Sequence, residues 1–345
     1  MRCLLPLFAV VAAVACGDNI HPGDTGSTDA GDRGGTDASR IAGSGLAVIT
    51  EPGDGFTQIY DLISSAGTSV DMTMYELTDT QVIGLLTSAA QSGRKVRVIL
   101  DQNLEMSSNL SAYQALDAGG VAVHWANPNY AATHQKSITV DGVTSAIMTL
   151  NLTPDDYKRT RDFAVITSDA ADVAAIETTF AADFTNAAVT PPTGDDLVWS
   201  PTNASAEIFA LINGAQTSLV VENEEMSDLS VVSALGAAAQ RGVAVEVIMS
   251  GSSDYATEFA TLEAAGVKVV TYAEHAPLYI HAKVILVDGA TVFVGSENFS
   301  TASLTANREL GLTTTDSAIV SSIAATLASD YQGGSAYGSA DGSAD

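Results

Sequence analysis

Two short stretches of this 345-residue chain place the same residue types at the same spacing. In "THQKSITVDG", His134, Lys136 and Asp141 form His-x-Lys-x-x-x-x-Asp. In "IHAKVILVDG", His281, Lys283 and Asp288 repeat it, each 147 residues beyond its counterpart. An imidazole changes charge near neutral pH and serves as nucleophile, base or acid. A lysine two residues further along an extended segment shares its face. A buried ammonium beside an imidazole is costly unless an anion sits with it. The pairing therefore points to an anion held beside an imidazole. A satisfied core histidine with a lysine stem lying along a sheet would account for one copy, but not comfortably for two in register.

Further residues keep step. Thr149 and Asn151 follow the first motif as Ser296 and Asn298 follow the second, and Asp162 and Glu309 come eleven residues after each Asn. Each acid thus stands 28 residues after its own histidine. A hydroxyl and an amide can donate to phosphate oxygens. A carboxylate bonded to one imidazole nitrogen sets the tautomer and leaves the other nitrogen a better nucleophile or base.

Such residues need a scaffold that brings two copies together, and the chain contains an internal duplication. "EPGDGFTQIYDLISSAGTSVDMTMYELTDTQVIGLLTSAAQSGRKVRVILD" matches "SPTNASAEIFALINGAQTSLVVENEEMSDLSVVSALGAAAQRGVAVEVIMS", with Pro52, Leu62, Asp79 and Gly93 each 149 residues before Pro201, Leu211, Asp228 and Gly242. Each copy reads helix, strand, helix, strand. Leu62, Ile63 and Ala66 are helix-spaced, "KVRVIL" is strand-like, and Gly93 suits a helix end. Alternating elements of this kind predict an α/β fold. "AAVTPPTGDD" (187–196) carries two prolines and reads as the linker between domains at 44–186 and 197–332.

The ends read differently. "MRCLLPLFAVVAAVAC" has one arginine, an apolar run too short to span a bilayer and then small residues, the pattern of an export signal over 1–15. Ala13-Val14-Ala15-Cys16 resembles a bacterial lipoprotein cleavage box, which implies lipidation at Cys16; an ordinary secretory cut would release the protein instead. Either way export is expected, to the bacterial envelope or periplasm. The other cysteine, Cys3, lies inside the signal, so no internal disulfide is expected. Residues 16–43, containing His21, are rich in Gly, Asp, Ser and Thr and read as a flexible tether; 333–345 reads as a disordered tail. With 14 basic against 41 acidic residues, a net charge of −27, the composition argues against docking on nucleic acid or anionic membrane through a broad basic surface, while leaving room for a locally basic active site.

The paired motifs, each followed by Gly-Ser-x-Asn or its counterpart "MTLN", resemble those of the phospholipase D superfamily over nearly all of residues 46–332. The resemblance implies two tandem α/β/α sandwich domains with central mixed sheets, related by a pseudo-two-fold axis, with one active site where they meet. It implies a phosphohistidine intermediate, with His134 as nucleophile and His281 as acid. Lys136, Lys283, Asn151 and Asn298, with the hydroxyls of Thr149 and Ser296, would hold phosphate. Asp162 and Glu309 would orient the histidines, and Asp141 and Asp288 would brace the fold. No metal or other cofactor is implied, because the lysines supply the positive charge. Met148-Thr149 departs from Gly-Ser and makes that side bulkier.

Phospholipid headgroup hydrolysis at a membrane surface is the reading this favours. A nonspecific exported nuclease is an alternative; so is a cardiolipin-synthase-like transferase, although such enzymes usually carry membrane-spanning helices that this sequence lacks. A phosphate-binding module without activity is the weakest reading. Arg94-Lys95-Arg97 looks scaffold-like, whereas Lys158-Arg159-Arg161 could line a groove. Glu76 and Glu225 fall at matching strand ends and could rim the site. His124 and His275 read as loop histidines that could touch a headgroup. A monomer is expected, because one chain carries both half-sites.

Overall fold

The computed structural model describes residues 46–154, 157–273 and 276–338. The signal, the tether with Cys16 and His21, His275 and residues 339–345 lie outside the described residues. The first half runs β1 (Leu46–Glu51), α1 (Thr57–Ser64), β2 (Ser69–Met74), α2 (Thr80–Gln91), β3 (Lys95–Leu100), α3 (Met106–Ala118) and β4 (Ala122–Trp125). It continues with β5 (Ser137–Val140), β6 (Thr144–Met148), β7 (Thr160–Thr167) and α4 (Ala170–Asp183). The second half opens with β8 (Leu197–Ser200), α5 (Ala204–Gly214), β9 (Ser218–Glu222), α6 (Leu229–Gln240), β10 (Ala244–Ser250), α7 (Ala256–Ala264) and β11 (Lys268–Tyr272). After β12 (Tyr279–Ile280) come β13 (Val284–Val287), β14 (Thr291–Gly295), α8 (Thr301–Thr305), β15 (Glu309–Thr314), α9 (Ser317–Gly333) and β16 (Ser335–Ala336).

The duplication is visible in local detail. Asp79 caps α2 by accepting from the amides of Gln81 and Val82, and Asp228 caps α6 from Ser230 and Val231. Gly93 and Gly242 follow these helices at φ +87° and +96°, a conformation that favours glycine. In each half the first strands pair in parallel (β2, β3, β4; β9, β10, β11) and the later ones antiparallel, so both sheets are mixed. Helix residues such as Ile59, Val82 and Leu116 fill one face of the first sheet, and Ile208, Leu235 and Leu262 fill the equivalent face of the second.

The other faces meet. Ile147, Phe163 and Val165 of the first half form one buried cluster with Trp199, Val284, Val294 and Leu310 of the second, closed over by α4 and α9. Residues of β13 alternate accordingly: Val284 and Leu286 join this shared core, Ile285 and Val287 the helix-side core. Arrangement and chain order match the expected pair of α/β domains. The linker's far end is held by the Asp172 carboxylate, which accepts from the amides of Asp195 and Asp196. At the C-terminus the expected domain limit of 332 is passed: β16 pairs with β11 at Val270–Ala336 and Thr271–Ser335.

The sheets are also stitched together by backbone, and this positions the site. Ahead of β5, the amides of His134 and Gln135 donate to the Arg308 carbonyl, and the Arg308 amide donates to Ala132. Symmetrically, β12 pairs in parallel with β7, so the Tyr279 and His281 amides donate to Arg159 and Arg161. Each motif therefore lies against the segment that carries the other half's acid. Both His-x-Lys segments consequently sit just outside regular strands, before β5 and between β12 and β13, rather than inside one.

Candidate active site

Because Arg308 precedes Glu309 and Arg161 precedes Asp162, the stitching exchanges the acids. His134 Nδ1 lies 2.9 Å from Glu309 Oε2 and 3.0 Å from the Ser296 carbonyl. His281 Nδ1 lies 2.8 Å from Asp162 Oδ1. Each histidine is held by the opposite half's acid. With only acceptors around it, His134 Nδ1 carries a proton, so in the neutral ring Nε2 holds the lone pair. That Nε2 is buried and has no hydrogen-bond partner among the described residues.

His281 is set differently. Burial alone would lower its pKa, but the carboxylates of Asp162 and Glu224 outweigh that and raise it to about 10. Glu224 Oε2 stands 3.5 Å from His281 Nε2. Despite complete burial, Asp162 is held below the usual carboxylate range by His281, Lys283 and the Thr149 hydroxyl, and Glu309 likewise by His134, Lys136 and Ser303.

The lysines are fully buried and alike in one respect: Lys136 Nζ donates to the His134 carbonyl at 3.0 Å and Lys283 Nζ to the His281 carbonyl at 2.5 Å. They differ in the other. Lys136 Nζ sits 4.7 Å from the centre of the Tyr75 ring, which packs edge-on against His134 at 4.6 Å. Lys283 Nζ instead donates to Glu224 Oε2 at 2.9 Å. Tyr75 and Glu224 occupy matching positions 149 residues apart, so the two half-sites are not chemically equivalent. Neither is marked by residue type or spacing; their one sequence signal is their place beside Glu76 and Glu225.

The remaining expected residues divide. Asn298 is buried and its Nδ2 faces Glu225 Oε1 at 3.1 Å and Glu224 Oε2 at 3.5 Å; Asn151 is buried at the equivalent position. Glu225 therefore belongs to the site, while Glu76 is half-buried at the matching strand end. The two hydroxyls expected on phosphate have other partners. Thr149 Oγ1 donates to Asp162 at 2.5 Å and accepts from the Phe163 amide; Ser296 Oγ accepts from the Leu310 amide. Both residues are fully buried, and the Thr149 hydroxyl braces Asp162 itself while the Ser296 hydroxyl holds the strand that carries Glu309. Ser303 Oγ and Asn307 Nδ2 hold Glu309 Oε1 at 2.6 and 2.9 Å, a support with no spacing signal in the sequence.

Asp141 and Asp288 stand at turns with φ of +56° and +52°. Asp141 accepts from the Gly67, Thr68 and Ser69 amides, and Asp288 from Gln216, Thr217 and Ser218, tying down the loops before β2 and β9. His124 is not in a loop: it lies exposed on β4 with its ring 4.2 Å from Phe184, and contributes nothing to the histidine cluster. Two arginines of the basic runs are taken up by buried acids. Arg97 forms a two-point pair with Asp71 and Arg161 one with Asp330 at 2.5 and 3.0 Å, while Lys158 is exposed.

Among the described residues no group of three or more His, Cys, Asp or Glu side chains is arranged to hold a metal ion, and no helix is long and apolar enough to cross a membrane. A cavity of about 610 Å³ lies between the linker, α5 and β13, lined by Asp195, Asp196, Glu207 and Asp288 among others; none of its lining residues belongs to the histidine cluster.

The family model described as "Cardiolipin synthase, PLD-like domain" matches twice, over residues 59–184 and 208–331. Cardiolipin synthase A of Pseudomonas aeruginosa (strain LESB58) is 37% identical over 111 residues, 30% of this chain and 22% of that protein. The match thus spans under a quarter of the curated relative. Among solved structures, phosphatidylserine synthase from Haemophilus influenzae superposes with a TM-score of 0.65 at 12% identity, covering 85% of this chain and 87% of that one. Polyphosphate kinase from Porphyromonas gingivalis gives 0.67 at 16%, covering 82% and 46%. At these identities the structural likeness shows the fold alone.

Proposed function

Because the chain belongs to the PLD-like domain family of the phospholipase D superfamily, we propose that it is a phosphatidyl transferase of the cardiolipin-synthase type. It moves a phosphatidyl group from one alcohol to another through a covalent histidine intermediate. The observation that carries this reading is the unequal setting of two buried imidazoles, each held at Nδ1 by the other half's acid. His134 Nε2 is buried with no hydrogen-bond partner among the described residues, whereas His281 Nε2 faces Glu224 and the carboxylates around that ring raise its pKa.

In the first step His134 Nε2 forms a bond to phosphorus. The phosphorus–oxygen bond to the leaving alcohol breaks, and His281 gives its Nε2 proton to that oxygen. Glu309 stabilises the charge that develops on the His134 ring. In the second step the acceptor alcohol passes its proton to His281 as its oxygen attacks phosphorus, and the bond to His134 breaks. Lys136, Lys283, Asn151 and Asn298 compensate the phosphate charge from both halves, as preorganised donors should. Headgroup hydrolysis, which the sequence favours, is the same intermediate passed to water. The named relative supports transfer instead, and the net charge of −27 disfavours nucleic acid.

The test offers purified protein phosphatidylglycerol vesicles, phosphatidylethanolamine vesicles, plasmid DNA and RNA, each with EDTA, beside His134→Ala and His281→Ala. Diphosphatidyl or exchanged-headgroup products, lost in both variants, are expected by mass spectrometry. Phosphatidic acid as the sole product would replace transfer with hydrolysis. Nucleic-acid cleavage alone, or lipid turnover surviving both substitutions, would overturn the proposal. Envelope attachment through Cys16 is a separate proposal, tested by mass analysis of the mature N-terminus.

A further inference from the structure

The inequality of the two half-sites has a chemical meaning. In the first half, His134 and Lys136 are faced by the Tyr75 ring. In the second, the matching position puts the Glu224 carboxylate 2.9 Å from Lys283 Nζ, 3.5 Å from His281 Nε2 and 3.5 Å from Asn298 Nδ2. Tyr279 donates its hydroxyl to the other Glu224 oxygen at 3.2 Å, which fixes the carboxylate's direction. Glu225 adds a second carboxylate on the same Asn298 amide at 3.1 Å. Two anions thus hold the donors that a phosphate oxygen needs, on the side where His281 protonates the leaving alcohol and later receives the acceptor's proton.

A phosphodiester bound at Lys283 and Asn298 would place its negative charge against these carboxylates in a site where like charges are poorly screened. Lys283 and Asn298 stand between them, but each must then serve a carboxylate and a phosphate oxygen at once, and a further donor brought by the alcohol relieves that competition. Resting on the transferase reading, we infer that Glu224 and Glu225 form a subsite for the departing and incoming alcohol. It selects alcohols that carry a hydroxyl or ammonium group next to the reacting oxygen, and Glu224 is its main specificity-determining residue. A plain alkanol brings no such donor and leaves the carboxylates and the phosphate competing for Lys283 and Asn298. A nucleic acid brings a further phosphate toward them, and is rejected on charge. A polyol or an amino alcohol satisfies both glutamates, because charged acceptors form the stronger hydrogen bonds.

The closing experiment separates this subsite from the reaction itself by measuring binding without turnover. Full-length protein is titrated calorimetrically with glycerol 1-phosphate, O-phosphoethanolamine and n-propyl phosphate, as wild type, Glu224→Gln, Glu224→Ala and Glu225→Gln. The wild type is expected to bind the first two at least about tenfold tighter than n-propyl phosphate, the effect of one charge-assisted bond. Glu224→Ala should remove the preference. Glu224→Gln, which keeps shape and an acceptor oxygen, should retain part of the preference for the hydroxyl compound and lose that for the ammonium compound, and so tells the two donors apart. Glu225→Gln should weaken both preferences less. An unchanged ratio in Glu224→Ala, n-propyl phosphate binding best to the wild type, or no binding of any of the three would overturn the inference. Where the enzyme turns over, the product ratio from a glycerol and 1-propanol mixture should fall about tenfold in Glu224→Ala, since both acceptors compete for one intermediate. Turnover with an unaltered ratio sinks the subsite and spares the transferase. A binding preference without any transfer does the reverse.

Discussion

Replacing Asp162 with Asn should change the chemistry of a histidine 119 residues away and leave its own half's His134 alone. In the wild type the His281 pKa rises from 6.5 to about 10 against the opposing effect of burial, with Asp162 the largest favourable influence. A rise of roughly 3.5 units is on the order of 5 kcal/mol in favour of the imidazolium. Asp162→Asn removes both the charge and the 2.8 Å bond to the anion, leaving Glu224 against burial and Lys283. The His281 pKa should therefore fall by at least about 2 units. Histidines labelled with ¹⁵N and followed by long-range proton–nitrogen correlation report this directly, with His134→Ala assigning the signals. Stability should follow. A raised folded-state pKa stabilises fully below the unfolded value near 6.5, and the effect is lost as pH climbs through about 10. The Asp162 side acts above its ordinary range and is lost on acidification. The melting-temperature gap between wild type and Asp162→Asn should thus be widest between about pH 4 and 6.5 and should close toward pH 10. A His281 signal that does not move in Asp162→Asn, or that moves in Glu309→Gln instead, would refute the exchange of acids.

Glu309→Gln should disable His134, 175 residues away, and lower kcat by roughly 100- to 10,000-fold, with little change in KM, in the vesicle assay. Asp288→Ala should lower the melting temperature at pH 7 while leaving the activity of folded protein within about twofold, because its carboxylate holds the loop before β9, through three amides and the Thr217 hydroxyl, and none of the histidine cluster. Its pKa is depressed by those donors, so its stabilisation exists above the ordinary Asp value and disappears as pH falls through the folded one; the gap to wild type should vanish in strong acid. Gly311→Ala would bring a methyl to 2.3 Å from the Phe293 ring and 3.0 Å from Glu297. Scanning calorimetry should show a loss of about 1–3 kcal/mol or more. Arg161→Met would strand the buried Asp330 carboxylate, with a loss of about 3–5 kcal/mol in denaturant unfolding.

Much of this protein is legible from one sequence because it is written twice. Repetition at a constant offset separates meaningful residues from ordinary ones without any homologue: His134, Lys136, Asn151 and Asp162 each have a partner 147 residues on. Periodicity is a local property, so helices, strands, caps such as Asp79 and Asp228, and the division into two α/β halves follow from short windows of sequence. Hydroxyl direction does not. Thr149 and Ser296 have the right types for phosphate, and only the register of β7 and β15 aims them at the acids' strands.

The sequence by itself therefore determined the components: two duplicated halves, two histidine–lysine pairs, two acids. The tertiary structure decided which acid serves which histidine. Spacing puts Asp162 and Glu309 each 28 residues from its own motif, yet the backbone bonds of His134 and Gln135 to Arg308, and of His281 to Arg161, join each histidine to the other half's acid. Those bonds link residues more than a hundred positions apart, beyond the reach of any local pattern. The structure also decided the asymmetry of the site. Tyr75 and Glu224 look like a mismatch in a repeat until the fold sets one over Lys136 and the other against Lys283. The physical reason is the same in both cases: electrostatic environment depends on distance through space, and that is fixed only when the two sheets close on their shared core.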